Sequence, residues 1–238
     1  MDNKSIIDIR HIFHDFEMIA HELNRCRCKH VQVRAYELLE LSQIQRIILS
    51  FKDKSFISIN LLLKYAYNND YLKKLLWLVK NDALLYLTLY GAPKEKIKDD
   101  KGNRIKIISD SIDSCNDCGK ISKESLMQSS IRTIQVFMEN RLYNGCLNKK
   151  ISIDENGDIK NCPSMDRSFG NICNTSLFEV AQNEEFKKMW IINKEHVKVC
   201  KDCEYRCICT DCRVFIENPD DIFSKPAKCS YNPYLLKW

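Results

Sequence analysis

The residues best suited to chemistry in this chain are cysteines. Seven fall in a spaced series: Cys146 and Cys162, then Cys200-x2-Cys203-x5-Cys209-x2-Cys212, then Cys229. Paired thiolates two residues apart can grip one metal centre from a single turn. Four such ligands complete a tetrahedral Zn²⁺ site or a four-iron cluster. Seven exceed one site and almost fill two. Of 13 cysteines in all, eleven lie between Cys115 and Cys229, and only Cys26 and Cys28 precede them. A random scatter of packed thiols would not segregate in this way. The net charge of +5, from 37 basic against 32 acidic side chains, fits a soluble protein and argues only weakly for an anionic partner. No apolar run approaches the roughly 20 residues that cross a bilayer, and Met1–Arg10 lacks the apolar stretch of a signal peptide. The chain therefore reads as cytoplasmic, with no membrane partner. Thiols stay reduced in that compartment, so metal binding explains the cysteines better than a disulfide framework does.

The elements that must position these thiols divide the chain at about residue 112. Before it, apolar helical stripes and β-branched runs alternate. Ile12–Asn24, Glu37–Phe51 and Asn68–Asn81 read as helices, and His30–Tyr36, Phe56–Tyr65 and Ala83–Tyr90 as strands. Such alternation predicts a parallel sheet with right-handed crossovers. About three βα units fit before residue 95, too few for a closed eight-stranded barrel, so the fold class is α/β with an open, half-barrel-like region. Ala92–Asn103 reads as a linker. Beyond it, Arg104–Ser109 and Ile131–Met138 read as strands, and Ile151–Asn161 as a hairpin turned at Asn156-Gly157, with Gly157 in positive φ. Ser176–Trp190 reads as one helix, capped by Ser176 or Asn174.

With its surrounding words, the cysteine series resembles a known family. Cys146…Gly157-x4-Cys162, the Cys200–Cys212 block and Cys229 are similar to the seven-cysteine signature of SPASM domains, the iron–sulfur extensions of many radical-SAM peptide-modifying enzymes. The stretches NKKISIDENGDIKNCPSM, VCKDCEYRCICTDCRVF and SKPAKCSYNPY are similar to the SPASM proteins of grasp-with-spasm systems. The resemblance covers residues 112–238 and implies a SPASM domain there, with residues 1–111 as a fragment of a radical-SAM barrel. It implies two 4Fe-4S clusters. Cys200, Cys203, Cys209 and Cys229 would ligate one, and Cys146, Cys162 and Cys212 the other. The sequence departs from the pattern at Cys209-x2-Cys212, where three intervening residues are usual. It also lacks a cysteine just upstream of Cys146, where the fourth ligand of the second cluster usually stands. Cys118 is the substitute, Cys115 the alternative, and an open iron position the third choice. The implied partners are a precursor peptide and an ATP-grasp ligase.

Radical-SAM chemistry needs C-x3-C-x2-C, and this run is absent: Cys26-x-Cys28 has the wrong spacing, and Thr210 stands where Cys203-x3-Cys207 needs a third thiol. The chain is thus expected not to cleave S-adenosylmethionine, which leaves its standing as an enzyme open. Three roles remain: an accessory factor in peptide maturation, a redox component passing electrons to a partner, and a zinc-binding interaction module, since the same thiolates accept Zn²⁺. His196 could join a zinc site. Cys173 and Cys207 fall outside the signature and read as packed or free thiols. Cys26 and Cys28 sit among cations that could lower a thiol pKa, although a solvated helix-to-strand connection is the plainer reading. His11, His14 and His21 read as surface or rim residues. Asp202, Glu204, Arg206 and Arg213 interleave with the ligands and could support them from behind. No phosphate-binding glycine loop, nucleophile elbow or H-E-x-x-H is present. Without an aromatic-lined basic strip, no nucleic-acid partner is expected.

Overall fold

The computed structural model describes residues 3–11, 13–94, 96–98, 104–128 and 133–238, and it divides into two compact units. The sheet unit comprises Asp2–Asp117 and Ile151–Ala181; the cysteine-rich unit comprises Cys118–Lys150 and Gln182–Trp238.

In the sheet unit, β1 (Asn3–Ile9), β2 (Cys28–Ala35), β3 (Ser58–Lys64) and β4 (Leu85–Tyr90) run parallel, joined by α1 (Phe16–Arg25), α2 (Leu41–Phe51) and α3 (Asn69–Lys80). Each helix starts at a side-chain cap. Asp15 accepts from the Met18 amide at 3.1 Å, Glu40 and Gln43 form a capping box, and Asn68 accepts from the Asp70 and Tyr71 amides. Ile7, Val33, Leu61 and Leu87 are buried on one face of the sheet, and Ile19, Leu23, Ile44, Ile47, Leu75 and Val79 are buried along the helices. Each such side chain contributes about 1.5–3 kcal/mol on burial.

Two short strands extend the ladder. β6 (Ile105–Ile107) runs parallel to β4, and β5 (Lys96–Lys98) pairs antiparallel with β6. The expected linker therefore contains a strand, seated by the β5–β6 ladder; residues 95 and 99–103 of that stretch lie outside the described residues. β7 (Lys150–Ile153) and β8 (Ile159–Lys160) form the expected hairpin, with Gly157 at φ 86°, and complete an eight-stranded order β5-β6-β4-β3-β2-β1-β7-β8. β1 carries no clear strand pattern in the sequence, because polar Ser5 and Asp8 are buried within it and blur the alternation.

Two further expectations are corrected. Residues 131 and 132 of the expected strand Ile131–Met138 lie outside the described residues, and the rest is helix. After α4 (Lys123–Gln128), Thr133 caps α5 (Ile134–Leu142) by accepting from the Val136 amide. The single helix expected over Ser176–Trp190 is broken into α6 (Leu177–Gln182), α7 (Glu184–Lys187) and a 3₁₀ turn, Lys188–Ile191. Asn183 causes the break, because its side chain accepts from the Glu185 amide at 2.8 Å and starts a new helix.

Candidate metal centre

Within the cysteine-rich unit, Cys200–Asp202 forms a single 3₁₀ turn, closed where the Cys203 amide donates to the Cys200 carbonyl at 3.1 Å. That turn gives the C-x2-C pair its bite. Cys200 packs with Ile192, Val197 and Met189, and Cys209 packs with Ile121, Leu126, Tyr205 and Cys229. An isolated bridge between Ile121 and Cys229 fixes the last thiol of the series. Cys200, Cys203 and Cys209 each sense the charge of Cys229, and Cys209 also senses Cys200, so the four thiols share one electrostatic neighbourhood. Burial pushes Cys209 up to about 12 and raises Cys200 and Cys203 as well. Without metal these groups hold their protons at neutral pH, and a metal must displace them. Among the described residues, no group of three or more His, Cys, Asp or Glu side chains is gathered closely enough to hold a single ion. A four-iron cluster takes one thiolate per iron and spreads its ligands more widely than one ion does.

Beside Cys200 lies a buried charge network that the sequence did not reveal. Lys194 and Arg213 both donate to Asp211 Oδ1, at 3.0 and 2.7 Å, with all three side chains 5 % exposed or less. Asn144 donates to Asp211 Oδ2 at 2.8 Å and to the Ile192 carbonyl at 3.0 Å. Burial alone would lower the Lys194 pKa, but Asp211, Cys209 and Cys200 together outweigh it and the ammonium is held more firmly than usual. Lys194 Nζ also donates to Cys200 Sγ at 3.8 Å, while buried Arg213 Nε has no hydrogen-bond partner among the described residues. Two cations on one carboxylate leave a surplus positive charge out of water, which is costly unless an anion answers it. Metal-bound thiolates are such anions. The donor set therefore fits a cluster held by Cys200, Cys203, Cys209 and Cys229.

The remaining signature thiols divide between the units. Cys146, Cys212 and Cys118 belong to the cysteine-rich unit, and Cys162 and Cys115 to the sheet unit. The Asn144 side chain accepts from the Cys146 and Leu147 amides at 3.0 and 2.9 Å, and Lys150 Nζ donates to Cys146 Sγ at 3.2 Å. Gly119, at φ 88°, lies so near Cys212 that an added Cβ would stand 3.2 Å from its sulfur. This brings the Cys118–Gly119 segment beside Cys212. In the sheet unit, Cys115 senses Cys162 and the buried Asp8–Arg34 pair, bonded at 2.6 and 2.8 Å, and Arg34 in turn senses Cys162. Burial raises the Cys115 thiol and also raises Asp8 despite its guanidinium partner.

Among the residues expected behind the ligands, Arg213 joins the buried network, Arg206 Nη1 donates to the Cys203 carbonyl, Glu204 accepts from Tyr231, and Asp202 accepts from Tyr234 at 2.7 Å. His196 is exposed, 6.5 Å from the Phe223 ring. Cys173 is exposed, and Cys207 is half-buried and accepts at its carbonyl from Asn140. Burial and Glu22 push Cys26 up to about 11, and burial pushes Cys28 up to about 12, which opposes reactivity at either thiol. His14 is not a rim residue: it is 5 % exposed and its Nε2 lies 2.8 Å from the Asp8 carbonyl. Lys194, Asp211, Asn144 and Lys150 went unread. The one available signal was Asp211, a carboxylate between Cys209 and Cys212.

Residues 146–204 match SPASM, described as an iron–sulfur cluster-binding domain. The AdoMet-dependent heme synthase of Nitratidesulfovibrio vulgaris (strain Hildenborough) is 28% identical over 82 residues, 34% of this chain and 22% of that protein. The chain thus covers about a fifth of that relative's length. No solved structure matches.

Proposed function

We propose that this chain is an iron–sulfur protein of ribosomal peptide maturation. It holds two four-iron clusters and serves as an accessory factor that binds a precursor peptide beside an ATP-grasp ligase. It performs no radical-SAM chemistry of its own. The observation that carries this reading is the seven-cysteine series, matched over residues 146–204 to a SPASM domain and with Cys200, Cys203, Cys209 and Cys229 in one electrostatic neighbourhood. Bound there, the clusters supply covalent cross-links for a core-poor unit and centres able to carry electrons. The parallel strands β1 to β4 with helical crossovers support descent of the sheet unit from part of a radical-SAM barrel. A second reading is favoured by the local similarity to an AdoMet-dependent heme synthase: an electron-transfer component serving a partner enzyme.

Anaerobic purification followed by iron, sulfide and zinc counts tests the metal assignment. About eight irons and eight sulfides are expected, and Cys203→Ala should lose about half of them. About two zincs and no colour would make the chain an interaction module instead. An iron-loaded protein that neither bound the precursor peptide nor altered the ligase's rate would leave the electron-transfer reading standing.

A further inference from the structure

The buried network around Asp211 is unbalanced. Asp211 accepts Lys194 and Arg213 on Oδ1 and Asn144 on Oδ2, so its hydrogen bonding is well supplied. Arg213 spends its Nη1 on the Ile222 and Ser224 carbonyls at 3.0 and 2.8 Å, which anchors the loop leading to Cys229. Against one carboxylate stand an ammonium and a guanidinium, at side-chain exposures of 5 % and 0 %. Among the described residues the ammonium has one further hydrogen-bond partner, Cys200 Sγ at 3.8 Å, and Arg213 Nε has none. A neutral thiol cannot balance the surplus charge, whereas a cluster-bound thiolate can. A four-iron cluster becomes more negative on accepting an electron, so a fixed cation beside a ligand sulfur favours the reduced form. Charge and hydrogen bonds to sulfur are established determinants of such potentials.

We propose that Lys194 is a positioning residue for the cluster held by Cys200, Cys203, Cys209 and Cys229, steadying the thiolate of Cys200 and raising the cluster's reduction potential. The proposal rests on the iron reading given above. Asp211 holds the ammonium against the sulfur, and Arg213 remains paired with Asp211 at 2.7 Å when Lys194 is removed. Lys194→Met should therefore leave a neutral, still paired couple and a foldable chain.

The test compares anaerobically reconstituted wild type, Lys194→Met and Lys194→Arg by iron and sulfide content, redox titration followed by electron paramagnetic resonance, and thermal melting with and without iron. Lys194→Met should bind the added electron roughly tenfold more weakly, a fall of about 59 mV for a one-electron couple, and Lys194→Arg should restore most of it. Lys194→Met should also destabilise the loaded protein while leaving the metal-free protein as stable as wild type or more so. Loss of one cluster in Lys194→Met, rescued by Lys194→Arg, equally supports the role. An unchanged potential at full iron content overturns the inference and spares the iron reading. Equal destabilisation with and without iron reduces Lys194 to a structural residue and overturns it too. Zinc in the wild type overturns both.

Discussion

Gly145 shows how little room the turn before Cys146 has. A Cβ at this position would stand 2.4 Å from Asn140 Oδ1, and Asn140 cannot retreat, because its amide is tied to the Cys207 carbonyl at 3.0 Å. Gly145→Ala should cost about 1–3 kcal/mol of stability through overpacking, measured by chemical denaturation of the reconstituted protein. A variant as stable as wild type would show that the Asn140 anchor is loose. At this scale the thiols were legible because ligand chemistry demands short, local spacings: Cys200-x2-Cys203 and Cys209-x2-Cys212 are visible in one dimension. Asn144 and Asp211 meet from 67 residues apart, and no local rule says that an Asp between two cysteines will face two cations. Burial of charge is decided by partners, so Lys194 looked like any surface lysine. The fourth ligand of a second cluster was open in the sequence. Cys118 shares a unit with Cys146 and Cys212, and Cys115 shares one with Cys162.

Among elements, the join between α1 and α6 is polar. Glu22 accepts from Ser176 Oγ at 2.5 Å, Arg25 Nη1 at 2.5 Å and the Phe178 amide at 3.4 Å. Burial alone would raise its pKa, but these donors outweigh it and the carboxyl is held below its ordinary value. A depressed carboxylate adds stability above its unfolded pKa and loses it as pH falls through the folded value. Glu22→Gln should therefore cost about 1.5–3 kcal/mol at neutral pH, and the gap to wild type should close once the pH falls below the carboxylate range. Urea denaturation at several pH values measures this; a constant gap would assign the effect to shape instead of charge. The strands and helices of the sheet unit were legible because each repeats its apolar period over a full element. α5 was not, because its pattern is inverted. It buries Glu139 and Asn140 and exposes Ile134, Phe137, Met138 and Leu142, so the apolar residues report no core. Glu139 is held by Asn148 Nδ2 at 2.7 Å, a partner that helical periodicity cannot announce.

For the molecule as a whole, the cysteine-rich unit has little regular structure. Its hydrophobic groupings are small, such as Ile121, Leu126 and Cys209, or Ile192, Val197 and Cys200, and each includes a thiol proposed as a ligand. The sheet unit has a continuous parallel ladder and its own apolar interior. Removal of the proposed clusters should therefore act unevenly, because ligation free energy doubles as folding free energy where the core is thin. After anaerobic chelation, hydrogen exchange should rise across Gln182–Trp238 while strands β1 to β4 keep their protection. Uniform loss in both units would mean that the ladder also depends on metal. This asymmetry was partly legible, since the cysteines segregate toward the C-terminal half. The return of Ile151–Ala181 to the sheet unit was not, because a hairpin carries no mark of the sheet it will join.

Val199 stands immediately before Cys200 with φ at 66°, a region that a β-branched side chain rarely occupies. Such a backbone costs of order 1–3 kcal/mol and persists only where its surroundings enforce it. The turn that presents Cys200 is thus cocked. Were Cys200 a ligand as proposed, ligation would brace this turn, and loss of the metal would let the peptide relax between Lys198 and Lys201, both of which are exposed. The consequence of the proposed ligation would be one of turnover: a molecule that had shed its metal would offer proteases a loosened basic segment, and the lifetime of the chain would be tied to the integrity of its cofactor.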